Sequence, residues 1–106
     1  MGIVDAVNQT KSLDLGCGPN PRNPYGADDV FGIDLVGEQT NFLKIADLAI
    51  QPIPFKDSSF DFVTAYDFLE HIPRLTYING NRIHPFIELM NEIYRVLKPG
   101  GLFLAH

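Results

Sequence analysis

The apolar positions of this chain fall into short runs cut by proline, glycine and small polar residues, and only one stretch repeats at helical spacing. Ser12 to Leu15 is the first short strand, with Leu13 and Leu15 directed into a core and Asp14 closing it before the turn Gly16-Cys17-Gly18. Pro19, Pro21, Pro24 and Gly26 follow closely, so residues 19–30 are expected to form a loop with at most one turn of helix. Val30 to Leu35 reads as a second strand carrying Asp34 near its end, and Phe42 to Ala46 as a short third strand ending at Asp47. Gln51 to Ser59 is an extended loop, and Phe60 to Tyr66 the strongest strand, rich in aromatic and β-branched residues. Residues 67–72 look like a helical turn, and residues 73–83 like an insertion-like loop with two arginines. From His84-Pro85 the period changes: Phe86, Leu89, Met90, Ile93, Val96 and Leu97 make one buried stripe of a helix. Lys98-Pro99-Gly100-Gly101 stops that helix, and Leu102 to Ala105 is the last strand.

Strands separated by crossovers predict an α/β domain with a parallel sheet. Residues 36–41 are too few for a complete parallel crossover, which takes roughly ten to twelve residues. The third strand is therefore expected to be vestigial, or that edge of the sheet irregular. A length of 106 residues implies a single domain over 1–106, and 45% hydrophobic residues mark it as globular. No apolar run reaches membrane-spanning length, so a soluble protein is expected. The formal charge of -5 disfavours a partner gripped through nucleic-acid phosphates. The start of the chain lacks the basic head and apolar stretch of a secretory signal, and one cysteine cannot form an internal disulfide; both suit the cytoplasm.

Chemistry concentrates where strands end. In an open parallel sheet, ligands bind beyond the carboxyl ends of the strands, near the point where strand order reverses. Asp14, Asp34 and Asp47 all fall at such ends in this reading, and Gly16 and Gly18 let a ligand approach the backbone. The same acids are also common turn caps, and a turn with two glycines is also a plain strand exit. Cys17, small between two glycines, has no histidine near it in sequence and is weak as a nucleophile. His71 is placed to act as a base at neutral pH or to pack over the sheet. Three dispersed histidines and one cysteine have no metal-ligand spacing, so no metal site is expected.

The ordered motifs resemble the class I S-adenosylmethionine-dependent methyltransferases. Leu13-Asp14-Leu15-Gly16-Cys17-Gly18 is similar to the first motif, Gly32-Ile33-Asp34-Leu35 to the second-strand acid, and Ile45-Ala46-Asp47-Leu48 to the third-strand acid. Pro54 to Asp61 resembles the entry to the fourth strand, Leu69-Glu70-His71-Ile72 the segment after it, and Glu92 to Gly101 the helix and turn before the fifth. The resemblance implies a Rossmann-like sheet of about five strands in the order 3-2-1-4-5, with reduced crossover helices and without the sixth and seventh strands. It implies S-adenosylmethionine as cofactor, held by Asp14, Gly16, Cys17, Gly18, Asp34, Leu35, Asp47, Leu48 and Tyr66. Asp34 would bind the ribose hydroxyls and Asp47 the adenine amino group. His71 and Asp67 are the implied catalytic candidates for in-line methyl transfer to a small-molecule acceptor, with Tyr66 bordering the transferred methyl.

One departure shapes the expectations. The missing strands leave the fifth strand as an exposed edge, which favours a homodimer, or mark the chain as a fragment of a longer enzyme. A non-catalytic cofactor-binding or interaction module is therefore the alternative. A nicotinamide-dependent oxidoreductase is weaker, since Asn20-Pro21 stand where a dinucleotide loop wants a third glycine and a helix N-terminus.

Overall fold

The structure, a computed structural model, describes residues 9–106. In chain order the elements are β1 (Lys11–Leu15), β2 (Asp29–Asp34), β3 (Leu43–Ile45), β4 (Phe60–Ala65), a 3-10 turn (Leu69–His71), β5 (Thr76–Ile78), β6 (Asn81–Ile83), α1 (Pro85–Val96) and β7 (Leu97–Ala105). Five of the strands form one parallel sheet in the order β3-β2-β1-β4-β7, the Rossmann-like order expected, with β7 as its fifth strand.

The short second connection is resolved by the register. β3 pairs only with the last three residues of β2, Gly32↔Leu43 to Asp34↔Ile45. The chain therefore has to travel back only about 10 Å, at ~3.3 Å per strand residue, before turning upward again. That distance needs no helix. The first connection returns the full length of β1 as irregular chain, because its prolines cannot donate helical hydrogen bonds. It lies against the sheet: Tyr25 stacks on Phe62 with ring centroids 4.5 Å apart, and Pro21 and Cys17 press on Gly32 so closely that a Cβ there would sit 2.7 Å from Pro21 Cγ.

Alternation along the strands decides which side chains enter the core. Leu13 lies beside Phe31 and Val63, and Leu15 beside Ile33 and Ala65, all on one face. Leu89, Ile93 and Val96 of α1 join them in one buried cluster, each contributing about 1.5–3 kcal/mol by leaving water. Phe31, Phe55 and Phe60 meet edge to face at centroid distances of 5.0–5.7 Å and close the core under the loop before β4.

That loop is fastened by one side chain. Arg95 donates to Glu92 and Asp57 and to the carbonyls of Ile53 and Phe55, each at 2.8–2.9 Å, while Glu92 Oε1 also accepts from the Ile53 N–H at 2.8 Å.

Two local expectations are corrected. Residues 73–83 are not a plain loop: β5 and β6 pair antiparallel as a hairpin. Asn79 (φ 51°) and Gly80 (φ 78°) form its turn, and an Asn-Gly pair is a strong two-residue hairpin signal that was present in the sequence. The last strand begins at Leu97 rather than Leu102. Leu97 pairs with Phe60 and Leu102 with Phe62, so Lys98–Gly101 loop out of register beside Asp61. Asp61 accepts from the Lys11 N–H at 2.9 Å and pairs with Lys98 Nζ at 3.3 Å, tying the bulge to the start of β1. Among the described residues, no helix is long and apolar enough to cross a membrane.

Candidate functional site

The parallel sheet delivers the ends of β1, β2, β3 and β4 to one rim. At β1 the chain turns through Gly16, whose φ of 65° suits glycine, and the N–H groups of Gly16 and Cys17 donate to the Ile33 carbonyl at 2.8 and 3.3 Å. A Cβ at Gly16 would collide with the Phe68 ring, so glycine is required there by packing as well as by conformation. At the end of β2, Asp34 Oδ2 accepts from the Gly18 N–H at 2.5 Å and Oδ1 from the Leu35 N–H at 2.6 Å. This carboxylate thus ties the glycine turn to its own strand end. An ionised carboxylate has about four acceptor positions, so two remain for a ligand. Beyond β3, Asp47 Oδ1 accepts from the Ala49 N–H at 3.1 Å, and Gln51 Oε1 accepts from the Asp47 N–H at 2.6 Å.

These residues surround a cavity of about 380 Å³, within the range of small-molecule sites. Gly16, Ile33, Asp34 and Leu35 form one side, Ala46 to Ala49 the second, and Asp67, Phe68, His71 and Ile72 the third. Of the residues singled out from sequence, Gly16, Asp34, Leu35, Asp47, Leu48, Asp67 and His71 line this space together. Asp67 holds a left-handed backbone, φ 50°, and its N–H donates to the His106 carbonyl at 2.8 Å. A left-handed aspartate at a cavity wall is a strained conformation of the kind that collects at functional sites.

Asp14, Cys17, Gly18 and Tyr66 lie off the cavity wall. Asp14 does not close its strand but sits inside β1, fully buried on the face opposite the leucines. It accepts from the Thr64 hydroxyl at 2.9 Å and the Arg22 N–H at 2.8 Å, and so pins the first connection to the sheet. Burial pushes its carboxyl above the ordinary range, against the lowering effect of those two hydrogen bonds. Tyr66 lies under the Arg22 guanidinium, 4.5 Å from the ring centroid, and beside His106. Gly18 reaches the site only through its N–H on Asp34.

Cys17 packs against Gly32, and its thiol is pushed up to about 11 by burial and by the charges of Asp14 and Asp34. It stays protonated at neutral pH. We expect iodoacetamide at pH 7.5 to alkylate the folded chain roughly 10²-fold more slowly than a free thiol, followed by intact mass. Alkylation at the rate of free cysteine would contradict this placement.

Phe68 and Ile72 were not anticipated as wall residues. The period of a six-residue turn is too short to tell which side faces the strands. Their apolar surface lines the cavity together with that of Leu35, Leu48 and Ala46, which flank the carboxylates of Asp34 and Asp47. A cavity with apolar walls, carboxylates on two neighbouring sides and a glycine turn beside one of them fits a nucleoside-bearing ligand.

Comparison with known proteins extends this picture. The family described as "Methyltransferase domain" matches residues 13–105. Sterol 24-C-methyltransferase of Schizosaccharomyces pombe is 41% identical over 113 residues, covering 89% of this chain and 26% of that protein. Demethylmenaquinone methyltransferase of Lysinibacillus sphaericus is 27% identical over 115 residues, covering 91% of this chain and 43% of that protein. Among solved structures, a chain in the complex between the Haloferax volcanii Trm112 methyltransferase activator and a methyltransferase aligns with a TM-score of 0.62 at 22% identity, covering 96% of this chain and 48% of that one. A protein of Methanococcus maripaludis described as an S-adenosyl-L-methionine-dependent methyltransferase aligns at 0.55 and 18% identity, covering 98% of this chain and 51% of that one. These two show the shared fold. The chain spans less than half the length of these curated relatives.

Proposed function

The chain belongs to the methyltransferase domain family, and from that premise we propose that its cavity holds S-adenosylmethionine and serves methyl transfer to a small-molecule acceptor. The observation that carries the reading is the convergence of Asp34 and Asp47, from adjacent strands, on one apolar-walled cavity that Gly16 also lines.

Asp34 offers its two free acceptor positions to the paired ribose hydroxyls, and its hold on the Gly18 N–H keeps the glycine turn in place before anything binds. Asp47 accepts from the adenine amino group, while Leu35, Leu48 and Ile72 supply apolar surface for the ring. When bound, the sulfonium supplies the electrophilic methyl group. The protein then contributes mainly alignment, for which effective molarities of roughly 10⁵–10⁸ M set the upper scale. On the opposite wall, His71 accepts the single proton released by the acceptor's nucleophilic atom, with Asp67 bordering the transferred methyl. The names of the curated relatives include a sterol and a demethylmenaquinone, which supports an acceptor of small-molecule size.

A calorimetric titration with S-adenosylhomocysteine tests the site. Saturable binding is expected, and its absence in a folded chain would remove the reading. His71→Gln is expected to leave that affinity unchanged and lower kcat by about 10²-fold, the lower end of general-base effects; unchanged turnover would exclude the imidazole as the base. Binding without transfer to any acceptor would instead favour a cofactor-binding module. Among the described residues β7 pairs with β4 alone, and its outer edge supports pairing with a second copy. A dimer mass by light scattering is expected; a monomer across the micromolar range would count against it.

A further inference from the structure

The hairpin β5–β6 begins four residues after Ile72, so the chain passes into it from His71 and Ile72, two residues of the cavity wall. It is held in place at its base. The Phe86 N–H donates to the Pro73 carbonyl at 3.2 Å, and the Arg74 guanidinium lies 3.8 Å from the Phe86 ring centroid. Its turn has the left-handed Asn79-Gly80 pair that two-residue hairpins prefer. The element is a paired hairpin anchored at its base rather than an unstructured connection.

Two properties of this segment bear on recognition. Its apolar side chains face solvent: Tyr77 is 64% exposed, and Leu75 and Ile87 at the base are 46% and 59% exposed. It is also cationic in an acidic chain. Between Glu70 and Glu88 there is no carboxylate side chain, although the chain as a whole has a formal charge of -5. Among the described residues, neither Arg74 nor Arg82 takes part in a salt bridge. Tyr77 and Arg82 are direct cross-strand partners, so their side chains leave the hairpin on the same face. An exposed tyrosine beside an unpaired guanidinium presents an apolar body and a planar fork for an anion.

Building on the reading of the cavity as a methyl-transfer site, we propose that this hairpin selects the acceptor, and that the acceptor is an anionic amphiphile: an apolar chain or ring system bearing one phosphate or carboxylate group. Tyr77 and Leu75 cover the apolar part, and Arg82 receives the anion in a charge-assisted, two-pronged contact. The strongly acidic remainder of the chain disfavours an extended polyanion on the same surface.

The test is calorimetric titration of the whole chain with dodecyl phosphate, dodecyl maltoside and inorganic phosphate, the detergents below their micelle thresholds, and sedimentation with phosphatidylglycerol vesicles. Dodecyl phosphate is expected to bind roughly tenfold more tightly than the maltoside, the worth of about one charge-assisted hydrogen bond. The Tyr77→Ala/Arg82→Gln variant is expected to lose roughly tenfold in dodecyl phosphate affinity while keeping its melting temperature and its affinity for S-adenosylhomocysteine. Equal binding by the variant, inorganic phosphate binding as tightly as the alkyl phosphate, or binding to vesicles alone would each overturn the proposal. Failure of S-adenosylhomocysteine to bind, with the dodecyl phosphate results as expected, would remove the methyl-transfer reading and leave the recognition surface standing.

Discussion

Replacing Asp34 by alanine is expected to weaken S-adenosylhomocysteine binding by at least about two orders of magnitude. Each hydrogen bond from a ribose hydroxyl to an ionised carboxylate is worth about 1.5–3 kcal/mol, and the substitution removes both. It also releases the Gly18 and Leu35 N–H groups, which Asp34 holds at 2.5 and 2.6 Å, so the glycine turn loses its preset position. Both donors lie near solvent and can bond water, so the melting temperature is expected to fall by only a few degrees. Asp34→Asn keeps one acceptor oxygen and is expected to fall between the two. Calorimetry on the three proteins decides the matter: affinities within threefold of one another would place the nucleoside elsewhere.

The second large effect concerns the scaffold. Arg95→Ala is expected to destabilise the fold by about 3 kcal/mol, because it leaves the Ile53 and Phe55 carbonyls without their donor and Glu92 without its cation. For a domain of this size that corresponds to a fall in melting temperature of more than about 10 °C. Asp57, largely exposed, contributes little to the loss. Arg95→Lys keeps the charge but cannot span four acceptors, so most of the effect should remain. The pair also has a pH signature. The hydrogen bond from Arg95 holds the Glu92 carboxyl below its ordinary range. A lowered folded-state pKa contributes stability above the unfolded value, about 4.3, and that contribution is lost as pH falls through the folded value. The gap in melting temperature between wild type and Arg95→Ala is therefore expected to narrow as pH is lowered from about 6 to below 4. A gap that is small at neutral pH, or that widens in acid, would show that the loop is held by packing instead.

Much of the architecture was legible because its signals are local. The alternation in Lys11–Leu15 and Phe60–Ala65, the helical stripe from Phe86 to Val96 and the proline-rich break after Gly18 each lie within a dozen residues or fewer, and each became the expected kind of element. The parallel sheet followed from strands joined by crossovers, and its strand order from the family resemblance. The acids Asp34 and Asp47 could be placed because a strand end is visible in sequence and parallel strands bring their ends to one rim. The hairpin was also legible, because Asn79-Gly80 is a two-residue turn signal.

The rest depended on contacts between residues far apart in the chain. Nothing near Asp14 in sequence distinguishes a ligand acid from a buried strut; Thr64, fifty positions away, makes it a strut. Arg95 reads as an exposed helical arginine until Ile53, Phe55 and Asp57 arrive beneath it. Phe68 becomes a cavity wall only because it covers Gly16. The sequence by itself determined most of the elements, the parallel class of the sheet and the strand-end acids Asp34 and Asp47, since propensity, periodicity and turn chemistry act over a few residues, while the strand order came with the family resemblance. Only the tertiary structure decided which acids face the cavity and which hold the sheet together, because a side chain's partners there are set by register and packing across the whole fold.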